Sequence, residues 1–138
     1  MNNAQDSISF ASLQYDDFPL LHQWMNTSHV KKWWGEDKDW TLEDIQRKYD
    51  TYVKGYKILG DLKAPIHGFV INVDNKPIGY IQYYNAYDFP REQGYSLESL
   101  PSSLASIDLY IGNPDFIGKG LGPNIIEQFL VEYNMAKF

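Results

Sequence analysis

The run Gly118-Lys119-Gly120-Leu121-Gly122 separates a strand-like segment from a segment with helical spacing. Glycines at alternate positions let the backbone come close to a ligand. Successive amides ahead of a helix N-terminus make an anion site, suited to phosphate or pyrophosphate. The same pattern also serves as a plain tight turn into a helix, so the residues alone leave both readings open. It is not a P-loop, because no Gly-Lys-Ser/Thr triplet ends it. It is not the full dinucleotide fingerprint either: Pro123 and Asn124 follow the third glycine, and no βαβ unit completes it.

Upstream, Asp108 interrupts the apolar run Ser106–Ile111. A carboxylate there could hydrogen-bond a nearby turn. It could also bind an ammonium group and help remove its proton, directly or through water. That second role matters for amine chemistry, since an ammonium has no lone pair and amines are mostly ammonium at neutral pH.

Other residue types narrow the classes. There is no cysteine among the 138 residues, which removes disulfides, Cys-type zinc sites and thiol nucleophiles. His22, His29 and His67 show no zinc-ligand spacing with a third partner. Glu36, Asp37 and Asp39 lack the EF-hand pattern and read as a solvated region ahead of a helix. The net charge of −6 disfavours nucleic acid as a partner, since phosphate binding needs clustered Lys and Arg. The 22 aromatic residues (11 Tyr, 7 Phe, 4 Trp) suit a core, and also the walls of a pocket for an organic ligand. Met1–Phe10 lacks a secretory apolar core, and no stretch approaches membrane-spanning length. The expectation is a cytoplasmic protein of one domain, residues 1–138, with no membrane partner and no metal.

The elements that must position these groups follow from local pattern. Ile8–Leu13 alternates as a strand. Asp16 and Asp17 offer cap chemistry ahead of Pro19, and Leu20/Trp24 with Leu21/Met25 share a helical face up to about Asn26. Ser28–Gly35 has no clean period and predicts a loop or short helical turn. Thr41 and Asp44 form a capping box for a helix carrying Leu42, Ile45, Tyr49 and Tyr52, which Gly55 would end. Phe69–Val73 and Ile78–Tyr84 read as a β-hairpin around Asp74-Asn75-Lys76-Pro77, with a bulge or close backbone approach at Gly79. Asp88–Ser103 reads as a long loop. In Ser106–Ile111, Ile107, Leu109 and Ile111 face one side and Asp108 and Tyr110 the other. Pro123 opens a last helix with an apolar stripe of Ile126, Phe129, Leu130 and Tyr133. The order is β, α, α, β, β, β, α.

Several motifs in this order resemble a known family. Asn75-Lys76-Pro77-Ile78-Gly79-Tyr80, then Ile107-Asp108, then Ile117-Gly118-Lys119-Gly120-Leu121-Gly122, look like the acetyl-CoA half of a GCN5-related N-acetyltransferase (GNAT). The family loop reads Arg/Gln-x-x-Gly-x-Gly/Ala. This chain matches at the glycines and departs at the first position, where Ile117 removes a side-chain contact but leaves the backbone cradle. Trp24-Met25-Asn26-Thr27-Ser28-His29-Val30 followed by Trp33-Trp34-Gly35 resembles the segment that aminoglycoside 6'-N-acetyltransferases carry after their first helix.

The resemblance implies an α/β (α+β) fold, a mixed and mostly antiparallel sheet flanked by helices. It implies acetyl-CoA as cosubstrate, held by Leu109, Tyr110 and Ile111 of the fourth family strand and by Gly118, Lys119, Gly120, Leu121, Gly122 and Asn124. It implies acetyl transfer to a primary amine of a polyamine or aminoglycoside, with an amine of siderophore or other metabolism, or a non-catalytic acyl-CoA or sugar-binding module, as alternatives. Asp108 would be the catalytic residue. Trp34 and Phe69 would be aromatic walls, Trp33 sharing that role or lying buried. Gln82 and Tyr84 would be polar substrate contacts, and Glu92 and Glu98 further ammonium sites. The family continues with a fifth strand, a helix and a hairpin beyond Met135-Ala136-Lys137-Phe138, so the fold is expected to be truncated at its C-terminus. The expectation is an unpaired strand edge at Ser106–Ile111, impaired turnover by the chain alone, and a homodimer through that edge as one way to complete the sheet.

Overall fold

The computed structural model describes residues 7–34, 38–85 and 105–133. The elements in chain order are β1 (Ile8–Ser12), α1 (Phe18–Met25), α2 (Ser28–Trp34), α3 (Leu42–Val53), β2 (Tyr56–Leu59), β3 (Leu62–Pro65), β4 (His67–Val73), β5 (Lys76–Asn85), β6 (Ala105–Ile111) and α4 (Leu121–Glu132). Among the described residues no helix is long and apolar enough to cross a membrane.

The local chemistry acts largely as expected. Asp74 and Asn75 adopt positive φ of 51° and 66°, and Val73 pairs with Lys76, a two-residue hairpin turn. The Thr41 hydroxyl accepts from the Asp44 N–H at 3.0 Å while the Asp44 carboxylate accepts from the Thr41 N–H at 3.0 Å, capping α3 reciprocally. Hydrogen bonding from the Thr41 backbone is the main reason the Asp44 carboxyl lies below its ordinary range. Asp17 differs: its carboxylate accepts from Gln14 N–H at 2.9 Å and closes a short 3₁₀ turn, leaving α1 without a side-chain cap.

The expected loop or short helical turn at 28–35 is a helix, and a hairpin of two strands goes beyond the expected order. Residues 28–34 form a two-turn helix, α2. The backbone N–H of Lys31 donates to the Thr27 carbonyl, and Val30 is buried against the core. Tertiary burial and one long-range bond from His29 compensate for the missing periodicity. Residues 56–65 form a separate β2–β3 hairpin around Gly60-Asp61, antiparallel with Leu59 opposite Leu62. Asn26 ties the first helices to the start of α3. Its side chain donates to the Trp40 carbonyl at 2.9 Å and accepts from the Trp40 N–H at 2.8 Å.

The main sheet runs β1-β4-β5-β6, antiparallel throughout. Ile71 opposes Gly79 but Asn72 opposes Pro77, so Ile78 is a bulge. The expected close approach at Gly79 is real: a Cβ there would run into the Tyr110 carbonyl oxygen. One sheet face packs under α1, α2 and α3, with Leu21, Trp24, Ile45, Tyr49, Tyr80 and Tyr110 in its core. The opposite face packs on α4, through Phe69, Ile71, Ile81, Leu121, Ile125 and Phe129. Of the expected α4 stripe, Phe129 is fully buried and Leu130 and Tyr133 pack against the same cluster, while Ile126 is exposed and Ile125 takes the buried place instead. The helix begins at Leu121, two residues before Pro123. Among the described residues β6 pairs with β5 alone, so its other edge is open.

Candidate active site

Gln82 of β5 stands opposite Asp108 of β6 in the sheet register. Both project to the α1–α3 face, as strand alternation requires once Ile81 and Leu109 face α4. There they line a cleft of about 530 Å³ together with Trp34 of α2, Tyr49 and Tyr52 of α3, and Tyr84. The Gln82 Nε2 donates to Asp108 Oδ2 at 3.2 Å, and the Tyr80 hydroxyl donates to Gln82 Oε1 at 2.9 Å. Gln82 is buried and Asp108 half-buried. The carboxylate thus reaches the cleft from a partly buried floor, where its attraction for a cation is stronger than in bulk water.

The phenols in and behind the cleft stay neutral. Burial pushes the Tyr52 phenol up to about 12, with Tyr84 and the Asp108 carboxylate adding to the shift. Burial likewise holds Tyr49, Tyr80 and Tyr110 protonated well above the ordinary phenol range. Trp34 packs edge-on against Tyr110 at 4.8 Å and Tyr80 at 5.9 Å, so the indole is fixed by the same core that holds Gln82.

Asp108, Gln82, Tyr84 and Trp34 are therefore brought together as expected, and Phe69 is not. Its ring lies on the opposite sheet face, 5.5 Å from Phe129 and 4.9 Å from Tyr133. The reason is alternation: Phe69 shares the side of Ile71 and Val73, both in the α4 core. Glu92 and Glu98, with the rest of the expected 88–103 loop, lie outside the described residues, as do Gly35, Glu36 and Asp37. Sequence reading did not anticipate β2, whose Lys57 and Leu59 line the cleft, nor the cleft role of Lys48, Tyr49 and Tyr52 on α3. The helical spacing of Ile45, Tyr49 and Tyr52 signalled a buried helix face; only the tertiary packing brings that face to Asp108.

The glycine turn follows β6 after Gly112-Asn113 and a 3₁₀ turn at Pro114–Phe116. Gly118 and Gly120 take φ of 74° and 70°, the left-handed region that favours glycine. Gly120 is the N-cap of α4, so the cap position offers no side chain to the first-turn N–H groups of Leu121 and Gly122, and Pro123 has no N–H. The loop is exposed, with Lys119 and Asn124 at its surface. A turn of this shape, presenting backbone amides at a helix start, suits an anion such as a phosphate. The Leu121 side chain is buried against the α4 core, so only its backbone can serve there.

Just past β6, Gly112 N–H donates to the Ile78 carbonyl at 2.8 Å. Antiparallel alternation then turns the backbone groups of Leu109 and Ile111 away from β5, to the open edge. His29 agrees with this: its Nε2 lies 2.8 Å from the Ile111 carbonyl oxygen, and because a carbonyl only accepts, Nε2 carries the proton. Tyr110 departs from its expected place on the cofactor edge. Its backbone belongs to the β5 ladder and its side chain is buried under Trp24 and Trp34. An open strand edge leading into a left-handed glycine turn suits an extended amide-bearing arm that ends in a pyrophosphate, as in coenzyme A.

Known proteins share this architecture. The acetyltransferase (GNAT) domain family matches residues 14–136. Aminoglycoside N(6')-acetyltransferase type 1 of Klebsiella pneumoniae is 30% identical over 127 residues, covering 91% of this chain; the chain spans 59% of that relative's length. The structure of aminoglycoside acetyltransferase AAC(6')-Ib with coenzyme A is similar at a TM-score of 0.69 and 25% identity, over 91% of this chain and 68% of that one. An uncharacterised protein from Bacillus halodurans shares the fold at a TM-score of 0.75 and 20% identity, over 95% of this chain and 61% of that one. With its sheet order, glycine turn and family match in agreement, this chain belongs to the GNAT acetyltransferase family.

Proposed function

We propose that the protein transfers an acetyl group from acetyl-CoA to a primary amine, best read as the 6'-amine of an aminoglycoside. The observation that carries this reading is the placement of Asp108: its side chain enters an aromatic cleft while the backbone of its neighbours forms the open edge leading to the glycine turn. One strand thus serves an amine on one side and an acyl carrier along the other. The relatives named above support the 6'-amine specifically.

Acetyl-CoA would lie along Leu109 and Ile111 and place its pyrophosphate on Gly118–Gly122, and it supplies the activated acetyl group. Asp108 pairs with the substrate ammonium and accepts one proton as the nitrogen becomes nucleophilic. The nitrogen then attacks the acetyl carbonyl and the carbon–sulfur bond breaks, and the second proton lost by the nitrogen goes to the released thiolate, giving the amide and the free thiol. Backbone N–H groups at the β6 edge are the donors available to the carbonyl oxygen. These 138 residues hold no cysteine to carry a thiol intermediate, which favours direct transfer.

A second reading has its own observation. Lys48 and Lys57 line the same cleft, a wall less suited to a polycation than to an amine that also carries an anionic group. Calorimetric titration with acetyl-CoA followed by competition between kanamycin and lysine-like amines tests both. Saturable one-to-one binding with preference for kanamycin supports the aminoglycoside reading. Preference for lysine-like amines transfers the assignment to the second. Binding with no acetylation of any amine would leave an acyl-CoA-binding module.

A further inference from the structure

Asp108 does not stand alone in the cleft floor. Three strands meet at one register level, with Gly68 of β4, Gln82 of β5 and Asp108 of β6 side by side. Carboxylate oxygens only accept hydrogen bonds, so the Gln82 amide nitrogen is the end that faces Asp108. The Gln82 carbonyl oxygen therefore faces Tyr80, and the Tyr80 O–H has to donate. Burial supports that direction, since it raises the Tyr80 phenol far above its usual range and keeps its proton in place. The space for the hydroxyl comes from β4: a Cβ on Gly68 would lie 2.5 Å from the Tyr80 oxygen.

We propose that Tyr80 is a positioning residue, whose buried hydroxyl locks the Gln82 amide so that Gln82 holds one oxygen of Asp108 and leaves the other for the incoming amine. This assignment rests on the reading of Asp108 as the group that receives the ammonium. Gln82 then acts on the carboxylate rather than on the substrate, which changes the role its sequence position suggested. A free Asp108 side chain would sample several rotamers, each with a different direction for proton removal. The relay confines it to one, and does so from a residue too buried to touch substrate.

The test compares Tyr80→Phe, Gln82→Leu and the double variant in the whole chain, with Asp108→Asn as reference. Tyr80→Phe keeps the ring and its packing. The expected result is a fall in kcat of about tenfold for each single variant, an unchanged KM for acetyl-CoA, and no further fall in the double variant. Effects that multiply in the double variant, or an unaltered kcat in Tyr80→Phe, would overturn the relay. A second readout does not depend on turnover. The Gln82 side-chain amide protons should be protected from solvent exchange in the parent chain and lose protection in Tyr80→Phe. Free exchange in the parent chain overturns the proposal even if acetylation is observed. Turnover indifferent to Asp108→Asn would instead sink the catalytic reading, and the exchange measurement would still decide the relay.

Discussion

Gln82 and Asp108 face each other across β5 and β6, and the amide of one holds a carboxylate oxygen of the other at 3.2 Å. The pair sits where the aromatic cleft opens, so a change at Asp108 should act on chemistry far more than on cofactor affinity. Asp108→Asn keeps the shape and can still accept from Gln82. It is expected to lower kcat/KM for the amine by about 10²- to 10⁴-fold. Calorimetry should find acetyl-CoA binding within about twofold of the parent. An equal loss of acetyl-CoA affinity would place Asp108 in the cofactor site instead.

Gly120 offers the reverse separation. A Cβ there meets no atom within 4 Å, but its φ of 70° is strained for any other residue. Gly120→Ala is expected to destabilise the turn by about 1 kcal/mol. Where the chain relaxes that strain, the amides of Leu121 and Gly122 lose their aim. Titration with acetyl-CoA should show weakening of about tenfold or more, with amine KM little changed.

Tyr110 carries the one buried side-chain oxygen without a hydrogen-bond partner among the described residues. Tyr110→Phe removes a desolvated hydroxyl and keeps the ring contacts with Trp24, Trp34 and Tyr80. It is expected to leave the chain as stable or more stable, by up to about 1 kcal/mol in urea unfolding. A clear loss of stability would mean that the hydroxyl is bonded in solution.

The buried phenols also set an alkaline limit. Tyr49, Tyr52, Tyr80 and Tyr110 all hold their protons more tightly in the folded chain than at the ordinary value of 10.0. Their contribution is fully present below pH 10 and is lost as pH rises, for Tyr52 through about 12. Within that window each phenol held protonated lowers stability by about 1.4 kcal/mol per pH unit. Unfolding followed by tyrosinate absorbance should be flat to about pH 9 and cooperative above 10. Gradual titration of these phenols without unfolding would contradict the packing of the cleft.

Local chemistry was legible from the residues themselves. Asp74-Asn75 makes its turn because both tolerate positive φ, Thr41 and Asp44 satisfy each other's amides within four residues, and Gly118 and Gly120 bend as only glycine does freely. The alternation of β6 correctly separated Asp108 and Tyr110 from Ile107, Leu109 and Ile111. Each of these depends on neighbours in the chain.

What the tertiary structure decided is which neighbours meet across it. Alternation puts Phe69 with Ile71 and Val73, but only the docking of α4 makes that the side away from the cleft. Helix α2 has no period of its own and exists through Val30 burial and the His29–Ile111 bond, 82 residues apart in sequence. The roles of Tyr80, Gln82 and Asp108 likewise depend on strand register, which brings residues 26 positions apart into hydrogen-bond reach. A sequence specifies the residue types that can bond and the periods that can pack; the register and the choice of face are settled by the summed burial of both sheet sides, which no single segment contains.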